Sequence, residues 1–207
     1  MNIQCENECK QIVKSSLEKS MSYESYVEMI EHYVKTKSTS GANKSEALVE
    51  FTKLNQRRVK RWNKTLKLSD KLINEVENFE NLQVTWLVIT ESWCGDAAHI
   101  LPVINKVASI SNKINMRVVF RDENLELMDH FLTNGARSIP LLIAIDNETG
   151  AVIKTYGSRP EILTSMVREY KEMHGYVSAE FKEEIQKWYN KDKGQTIAEE
   201  LCNLLYA

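Results

Sequence analysis

Residues 84–97 read VTWLVITESWCGDA, and this stretch decides the fold of the chain. Its first half, 84–90, is rich in β-branched and aromatic residues and is short enough for a buried strand. Apolar residues then recur at helical spacing over 96–110. The stretch therefore predicts a strand, a tight turn that holds Cys94, and a helix that begins directly after it.

The residues that follow predict a continuing alternation of strands and helices. A strand is expected at about 116–120, and a helix from about Asn124 that Gly135 closes. Two strands at 141–145 and 152–156 flank the turn sequence DNETG and form a hairpin. A capping box at Ser158 and Glu161 predicts a further helix, to about His174. The first two strands need a helical crossover and are therefore parallel, which predicts a mixed sheet with helices on both faces.

Both ends of the chain are expected to be helical. Ser22 is a predicted helix cap, 37–43 is a polar loop, and a second helix is expected to pack through one apolar face. That face holds Leu48, Phe51, Val59, Trp62 and Leu66. Two more helices are expected after the hairpin unit, the second opening at a capping box of Thr196 and Glu199. The predicted division is a helical region over 1–79, a central domain over 80–175 and a helical extension over 176–207.

The composition is that of a globular protein without an obvious charged or lipid partner. The chain has 207 residues, of which 43% are hydrophobic, and a formal net charge of −2. The near-neutral charge gives no reason to expect nucleic-acid or membrane binding, and no apolar run is long enough to cross a bilayer. The first residues show no secretory signal. We expect a cytoplasmic protein, and no feature of the sequence asks for a cofactor.

The turn after the first strand, together with two prolines, resembles the thioredoxin superfamily. Trp93-Cys94-Gly95-Asp96 stands where that family has its W-C-x-x-C motif, between a strand and its crossover helix. Pro102 lies eight residues after Cys94, where many thioredoxins have a proline, and Ile139-Pro140 precedes a strand where the family has a cis-proline. The wider text, ESWCGDAAHILPVINK with RDENLELMDHFLTNGARSIP, is similar to uncharacterised bacterial thioredoxin-like proteins. The resemblance implies a thioredoxin fold with helical extensions at both ends.

Cys94 is the candidate reacting group. A cysteine at a helix N-terminus faces unpaired backbone N–H groups and the positive end of the helix dipole, and both favour the nucleophilic thiolate. The carboxylate of Asp96, two residues away, opposes thiolate formation. The resemblance implies that the substrate site around Cys94 is lined by Trp93, Gly95, Asp96, Ile139 and Pro140.

The sequence departs from the family at one position that matters. Where the second motif cysteine would resolve a mixed disulfide, three residues after Cys94, this chain has Ala97. A dithiol cycle within the motif is therefore impossible. Two functions stay open at this point: monothiol exchange or redox sensing with a protein or low-molecular-weight thiol or disulfide as substrate, and a retired site that only binds a peptide or protein.

Other candidate groups form no recognisable site. Cys5, Cys9 and Cys202 could each fold back onto Cys94, but Cys5 and Cys9 have no second pair that would complete a zinc site. His99 lies five residues after Cys94, so contact with the sulfur is not expected. A basic run between 53 and 67 could bind phosphates, although the apolar stripe on the same helix favours a solvated outer face. The oligomeric state is left open.

Overall fold

The computed structural model describes residues 3–80 and 82–206. Four strands form one sheet: β1 (Val84–Thr90), β2 (Ile114–Phe120), β3 (Leu141–Asp146) and β4 (Val152–Gly157). The helices before the sheet are α1 (Ile3–Glu18), α2 (Tyr23–Lys35), α3 (Glu46–Thr65) and α4 (Asp70–Glu77). The later helices are α5 (Ala97–Ala108), a 3₁₀ turn (Arg121–Glu123), α6 (Leu125–His130), α7 (Glu161–His174), α8 (Ala179–Asp192) and α9 (Gln195–Leu205).

The sheet has the strand order β2-β1-β3-β4. Strand β1 runs parallel to β2 and antiparallel to β3, and β3 and β4 form the predicted antiparallel hairpin. All seven residues of β1 are buried, because this strand lies inside the sheet and helices cover both of its faces. This mixed sheet flanked by helices has the predicted thioredoxin architecture.

The core includes residues of the helices that surround the sheet. Tyr26 of α2, Trp62 of α3 and Tyr189 of α8 all belong to the same buried cluster as the sheet residue Trp86. Helix α3 packs on α5, which in turn packs on α9. The helices on either side of the sequence 80–175 therefore share its hydrophobic core, and the division at 79/80 and 175/176 stays a prediction.

One predicted helix boundary differs from that observed. Helix α6 ends at His130 rather than at Gly135, because Thr133 and Ala136 pair through their backbones and reverse the chain. Asn134 and Gly135, with φ of 50° and 75°, supply the two turn residues with positive φ. Gly135 therefore serves a tight turn instead of closing a helix.

The two predicted capping boxes are also wrong. Helix α7 is preceded by Pro160, with no side-chain cap, while Ser158 belongs to the turn that leaves β4. Helix α9 begins after Gly194, and Thr196 is its second residue, hydrogen-bonded to Asp192 at the end of α8. The backbone N–H of Glu161 donates to Glu200 and that of Thr196 donates to Asp192, so neither Ser158 nor Thr196 caps the helix that follows it.

The packing face of α3 was only partly predicted. Val59 and Trp62 are buried as expected, but Phe51 is 51% exposed. The buried positions are Thr52, Asn55, Val59 and Trp62, which follow the helical period of three and four residues. Two polar residues thus occupy the inner face of α3, and both contact the motif turn.

Candidate functional site

The motif turn is held in place by a buried amide from α3. The turn leaves β1 at Glu91, and the N–H of Cys94 bonds to the Glu91 carbonyl at 3.1 Å. Nδ2 of Asn55 donates to the carbonyls of Ser92, at 3.0 Å, and Cys94, at 3.1 Å. Asn55 is 1% exposed, so water does not replace these hydrogen bonds. Asn55 could not be recognised from the sequence, since an asparagine inside a basic helix carries no signal of its own.

The sulfur of Cys94 lies against the proline turn. The Ile139–Pro140 peptide bond is cis, and Cys94 Sγ donates a hydrogen bond of 3.4 Å to the Ile139 carbonyl. Both residues are buried, as is Cys94, which is 6% exposed. The structure thus brings together three of the predicted site residues, Cys94, Ile139 and Pro140, across 45 residues of sequence.

A glycine on the neighbouring strand makes room for this turn. Gly157 pairs with Leu141 at the start of β3 and has a φ of 134°. A Cβ on Gly157 would lie 2.3 Å from the carbonyl oxygen of Pro140. No side chain fits at that distance, so glycine is required for β4 to pass the proline.

The surroundings of Cys94 favour the protonated thiol. Burial, and then the negative charge of Asp96, raise the pKa of Cys94 to about 12. Hydrogen bonds from the backbone of Ala97 and Asp96, together with the charge of Arg159, lower it but do not compensate. The helix N-terminus stabilises the thiolate as expected, but desolvation of the buried sulfur has the larger effect on the pKa of Cys94.

Asp96 is bound by two residues that follow the hairpin. Arg159 Nη2 lies 2.7 Å from Asp96 Oδ2, and the Tyr189 hydroxyl donates to Asp96 Oδ1 at 3.0 Å. Burial raises the pKa of Asp96, and the positive charge of Arg159 opposes that rise. Within the described part of the chain, the buried Nε of Arg159 has no hydrogen-bond partner. Asp96 therefore ties the motif turn to α8, a contact that the sequence did not reveal.

Trp93 and Gly95 lie on the more accessible side of the turn. The half-buried Trp93 ring has the Arg121 guanidinium carbon 5.1 Å from its centre, a cation–π distance. Arg121 is also paired with Asp122 at 2.8 Å. Gly95 faces Arg58 of α3 and Gln186 of α8, both within van der Waals reach of the place where a Cβ would stand.

His99 is buried between α3 and α8 and is only 1% exposed. Trp62 Nε1 donates to His99 Nδ1 at 2.8 Å, and His99 Nε2 lies 2.8 Å from Gln186 Oε1. Burial lowers the pKa of His99 to about 4, and its ring stacks on Tyr189 with centroids 4.5 Å apart. Both ring nitrogens are thus engaged away from the sulfur, and His99 stands as a structural residue.

A buried polar network anchors the start of the motif turn to the loop after α2. Glu91 is fully buried and accepts hydrogen bonds from the Ser40 hydroxyl and, at 2.8 Å, from the Asp122 backbone N–H. Ser92 exchanges hydrogen bonds with Ser40 in both directions, at 2.8 and 2.9 Å. Burial raises the pKa of Glu91. The network fixes the base of the turn, and each carboxylate oxygen of Glu91 already accepts a hydrogen bond.

The remaining cysteines show no bridge to Cys94. Cys94 and Cys202 are both unbridged thiols, and Cys202 Sγ donates to Glu75 Oε2 at 3.3 Å. Cys9 is half-buried in α1, while the side chain of Cys5 lies outside the described part of the chain. A resolving role for any of them stays a prediction.

The comparisons with known proteins agree with this geometry. A family model described as Thioredoxin matches residues 41–174, which is more than half of the chain. The chain therefore belongs to this thioredoxin family. No curated protein matches the sequence.

Two solved structures share the fold. One is a protein of unknown function, PA1234, from Pseudomonas aeruginosa, 14% identical, with a TM-score of 0.57 over 76% of this chain and 89% of that one. The other is an HIV epitope-scaffold of the 4E10 type, also 14% identical, with a TM-score of 0.57 over 90% of this chain and 98% of that one. At this identity the likeness speaks for the fold alone.

No helix in the described ranges 3–80 and 82–206 has both the length and the apolar character needed to cross a membrane.

Proposed function

We propose that this protein is a thioredoxin-fold binding module that holds an extended peptide or protein segment in the groove between the Trp93 turn and Pro140, with Cys94 as an unreactive thiol. The observation that carries the proposal is the burial of Cys94 beside Asp96, which raises its pKa to about 12. At pH 7 the thiol is then almost entirely protonated. A thiol that is so rarely ionised is a poor nucleophile for thiol–disulfide exchange. A small buried thiol can, however, pack under a bound chain.

The edge of the groove supports the binding role. The chain that leads into Pro140 is accessible, since Arg137 is exposed and Ser138 is half-exposed. The half-buried Trp93 ring is linked to this segment through Arg121, whose guanidinium lies over the ring and donates to the Arg137 carbonyl at 3.5 Å, so a ligand that reaches the ring would have to displace Arg121. An extended segment laid along this edge would meet backbone groups on one side and an indole ring on the other, which is a common way to bind peptides. A cytoplasmic location is part of this proposal.

Monothiol exchange is the second candidate, and one observation favours it. Hydrogen bonds from two backbone N–H groups, of Asp96 and Ala97, together with the charge of Arg159, act on the Cys94 sulfur and stabilise its thiolate. In that reaction the thiolate attacks a disulfide, forms a mixed disulfide and expels the other sulfur as a thiolate. Because the motif has Ala97 in place of a resolving cysteine, a low-molecular-weight thiolate must then attack the substrate sulfur of the mixed disulfide. A new disulfide joins that thiol to the substrate, and Cys94 leaves as the thiolate.

The pH dependence of Cys94 alkylation separates the two candidates. The experiment uses iodoacetamide and a variant in which Cys5, Cys9 and Cys202 are serine. The binding proposal expects slow modification whose rate still rises at the highest pH at which the protein stays folded. An apparent pKa below the ~8.5 of an ordinary cysteine, with fast modification, would reject it in favour of exchange.

Peptide binding itself is tested with a random peptide library selected on the full chain. The affinity of a selected peptide should survive Cys94→Ala, because the thiol takes no part in bonding, and should fall in Trp93→Ala. Loss of binding in Cys94→Ala alone would contradict the proposal.

A further inference from the structure

We infer that the ligand of the proposed module carries a carboxylate, which binds beside Gly95 between Arg58 of α3 and Gln186 of α8. This inference rests on the proposed function and adds a chemical class to its ligand. Three features carry it: a half-buried cation without an acidic partner, an amide whose orientation is fixed by buried neighbours, and a motif position that has no side chain.

Arg58 is a half-buried guanidinium without a paired carboxylate. Among the residues the structure describes, no Asp or Glu oxygen lies within 4.0 Å of it, and its hydrogen bond, at 3.0 Å, is to the neutral Oδ1 of Asn55. Burial and the neighbouring charge of Arg61 both lower the pKa of Arg58. Because burial of a charge is costly unless the charge is paired, the partial burial of Arg58 favours an anion beside it.

The acid nearest in sequence to Gly95 does not meet this demand. Asp96 acts on Arg58 only at longer range, because its two oxygens are taken by Tyr189 and Arg159. The Arg58 guanidinium therefore keeps N–H groups that can donate hydrogen bonds to a ligand oxygen. Its planar fork suits a carboxylate, which has two oxygens in one plane.

Gln186 presents its amide N–H₂ group to the same place. An indole N–H can only donate, so the contact from Trp62 makes His99 Nδ1 an acceptor and puts the ring proton on Nε2. His99 Nε2–H then donates to Gln186 Oε1 at 2.8 Å. The opposite end of the amide, Nε2, lies 3.9 Å from the site of a Cβ on Gly95. The buried Trp62–His99 pair thus fixes which end of Gln186 faces the motif turn.

Gly95 leaves the space between these two donors open. Arg58 Nη1 lies 3.6 Å, and Gln186 Nε2 3.9 Å, from the position its Cβ would take. Both distances are ordinary contacts, so packing does not require glycine here. The missing side chain leaves room for a ligand oxygen to reach both N–H groups, one residue away from Cys94.

The test is a nuclear magnetic resonance titration of the isotope-labelled full chain with two carboxylate probes. The first is S-methylglutathione, a small-thiol analogue whose blocked sulfur cannot exchange, with its dimethyl ester, which keeps the ammonium group but has no carboxylate, as the control. The second is an acetylated tetrapeptide amide with one glutamate, with the glutamine peptide as its control. Saturable shifts of the Gly95 amide and the Gln186 side-chain amide are expected with at least one probe and with neither control.

Three variants show whether the two donors form the site. Arg58→Gln should weaken binding about tenfold or more, since it removes the charged donor. Gln186→Glu should weaken it similarly, because it keeps the acceptor for His99 and turns the facing donor into a carboxylate. Arg57→Gln is the matched control, an exposed arginine on the same helix, and should bind as the wild type does.

The outcome is decisive in each arm. Preference for S-methylglutathione would identify a small-thiol ligand, and preference for the glutamate peptide an acidic chain segment. The absence of saturable shifts with both probes, or unchanged affinity in Arg58→Gln and Gln186→Glu, would overturn the inference. Neither probe reacts with a thiol, so these results do not depend on the ionisation of Cys94 or on the peptide selected at the Trp93 groove. The carboxylate site can therefore be present even if the proposed function is wrong. The proposed function can likewise hold even if the carboxylate site is absent.

Discussion

The hydroxyl of Tyr189 donates a hydrogen bond of 3.0 Å to the carboxylate of Asp96, and so joins the penultimate helix to the motif turn across 93 residues of sequence. Arg159 binds the other oxygen of the same carboxylate. The C-terminal helices are therefore part of the environment of Cys94. They bury Asp96, and that buried charge is one of the two main reasons why the neighbouring thiol stays protonated.

Asp96→Asn should lower the pKa of Cys94. The change removes the negative charge beside the sulfur and leaves the positive charge of Arg159 uncompensated, so the thiolate gains on both counts. A fall of about one pKa unit or more is expected, measured from the ultraviolet absorbance of the thiolate in a variant without the other cysteines.

Asp129→Asn is the control for Asp96→Asn. Asp129 also pairs with an arginine, Arg137, but on an exposed surface, so its replacement should leave the thiol unchanged. An unaltered pKa of Cys94 in Asp96→Asn would show that burial alone keeps the thiol protonated.

Asn55→Ala should destabilise the fold by about 2–4 kcal/mol. The amide of Asn55 donates to the carbonyls of Ser92 and Cys94, and its loss leaves two buried acceptors without that donor. The measurement is the free energy of unfolding from denaturant titration. Asn190→Ala, an exposed asparagine that contacts Arg61, should change it by less than about 0.5 kcal/mol. Equal effects of the two changes would mean that Asn55 does not hold the turn.

The sequence predicted the sheet because its strands carry strong local signals. Strand β1 was placed at the correct residues from a run of β-branched and aromatic side chains, and the hairpin from its DNETG turn. The helix ends were less predictable. Ser22 caps α2 as expected, but Ser158 and Thr196 do not cap α7 or α9, because the carboxylates of Glu200 and Asp192 accept from the first N–H groups of those helices.

The site was predictable only where its residues lie in the motif or before Pro140. Asn55, Gln186 and Tyr189 approach the turn from helices far away in sequence, and nothing in their local spacing distinguishes them from solvent-facing polar residues. The ionisation of Cys94 could not be predicted for the same reason. A helix N-terminus can be read from sequence, but the burial that outweighs it depends on distant packing.

Gly157→Ala should destabilise the protein by several kcal/mol. The new Cβ would lie 2.3 Å from the Pro140 carbonyl oxygen and would also force an L-residue to a φ of 134°. Gly150→Ala is the matched control, since Gly150 also has positive φ, at 67°, but no atom within 4 Å of its Cβ position. Its cost should be about 1 kcal/mol, from the backbone alone. Denaturant midpoints that fall equally in the two variants would contradict the steric role of Gly157.

His99 should make the stability of the fold depend on pH between about 4 and 6.5. Its pKa is about 4 in the folded protein and about 6.5 in the unfolded chain, so the unfolded state binds more protons in this window. The free energy of unfolding contributed by His99 is therefore complete above pH 6.5 and decreases as the pH falls toward 4. The full loss is about 3 kcal/mol.

The comparison that isolates this contribution is with His99→Gln, which can still accept from Trp62 and donate to Gln186. Asp96 and Glu91 have raised pKa values and act in the opposite sense, since the folded state then binds more protons as the pH falls. Those contributions are common to both proteins and cancel in the difference between wild type and variant. That difference should shrink steadily from pH 7 to pH 4. A constant difference across the window would mean that the pKa of His99 is the same in the folded and the unfolded chain, and would contradict the prediction.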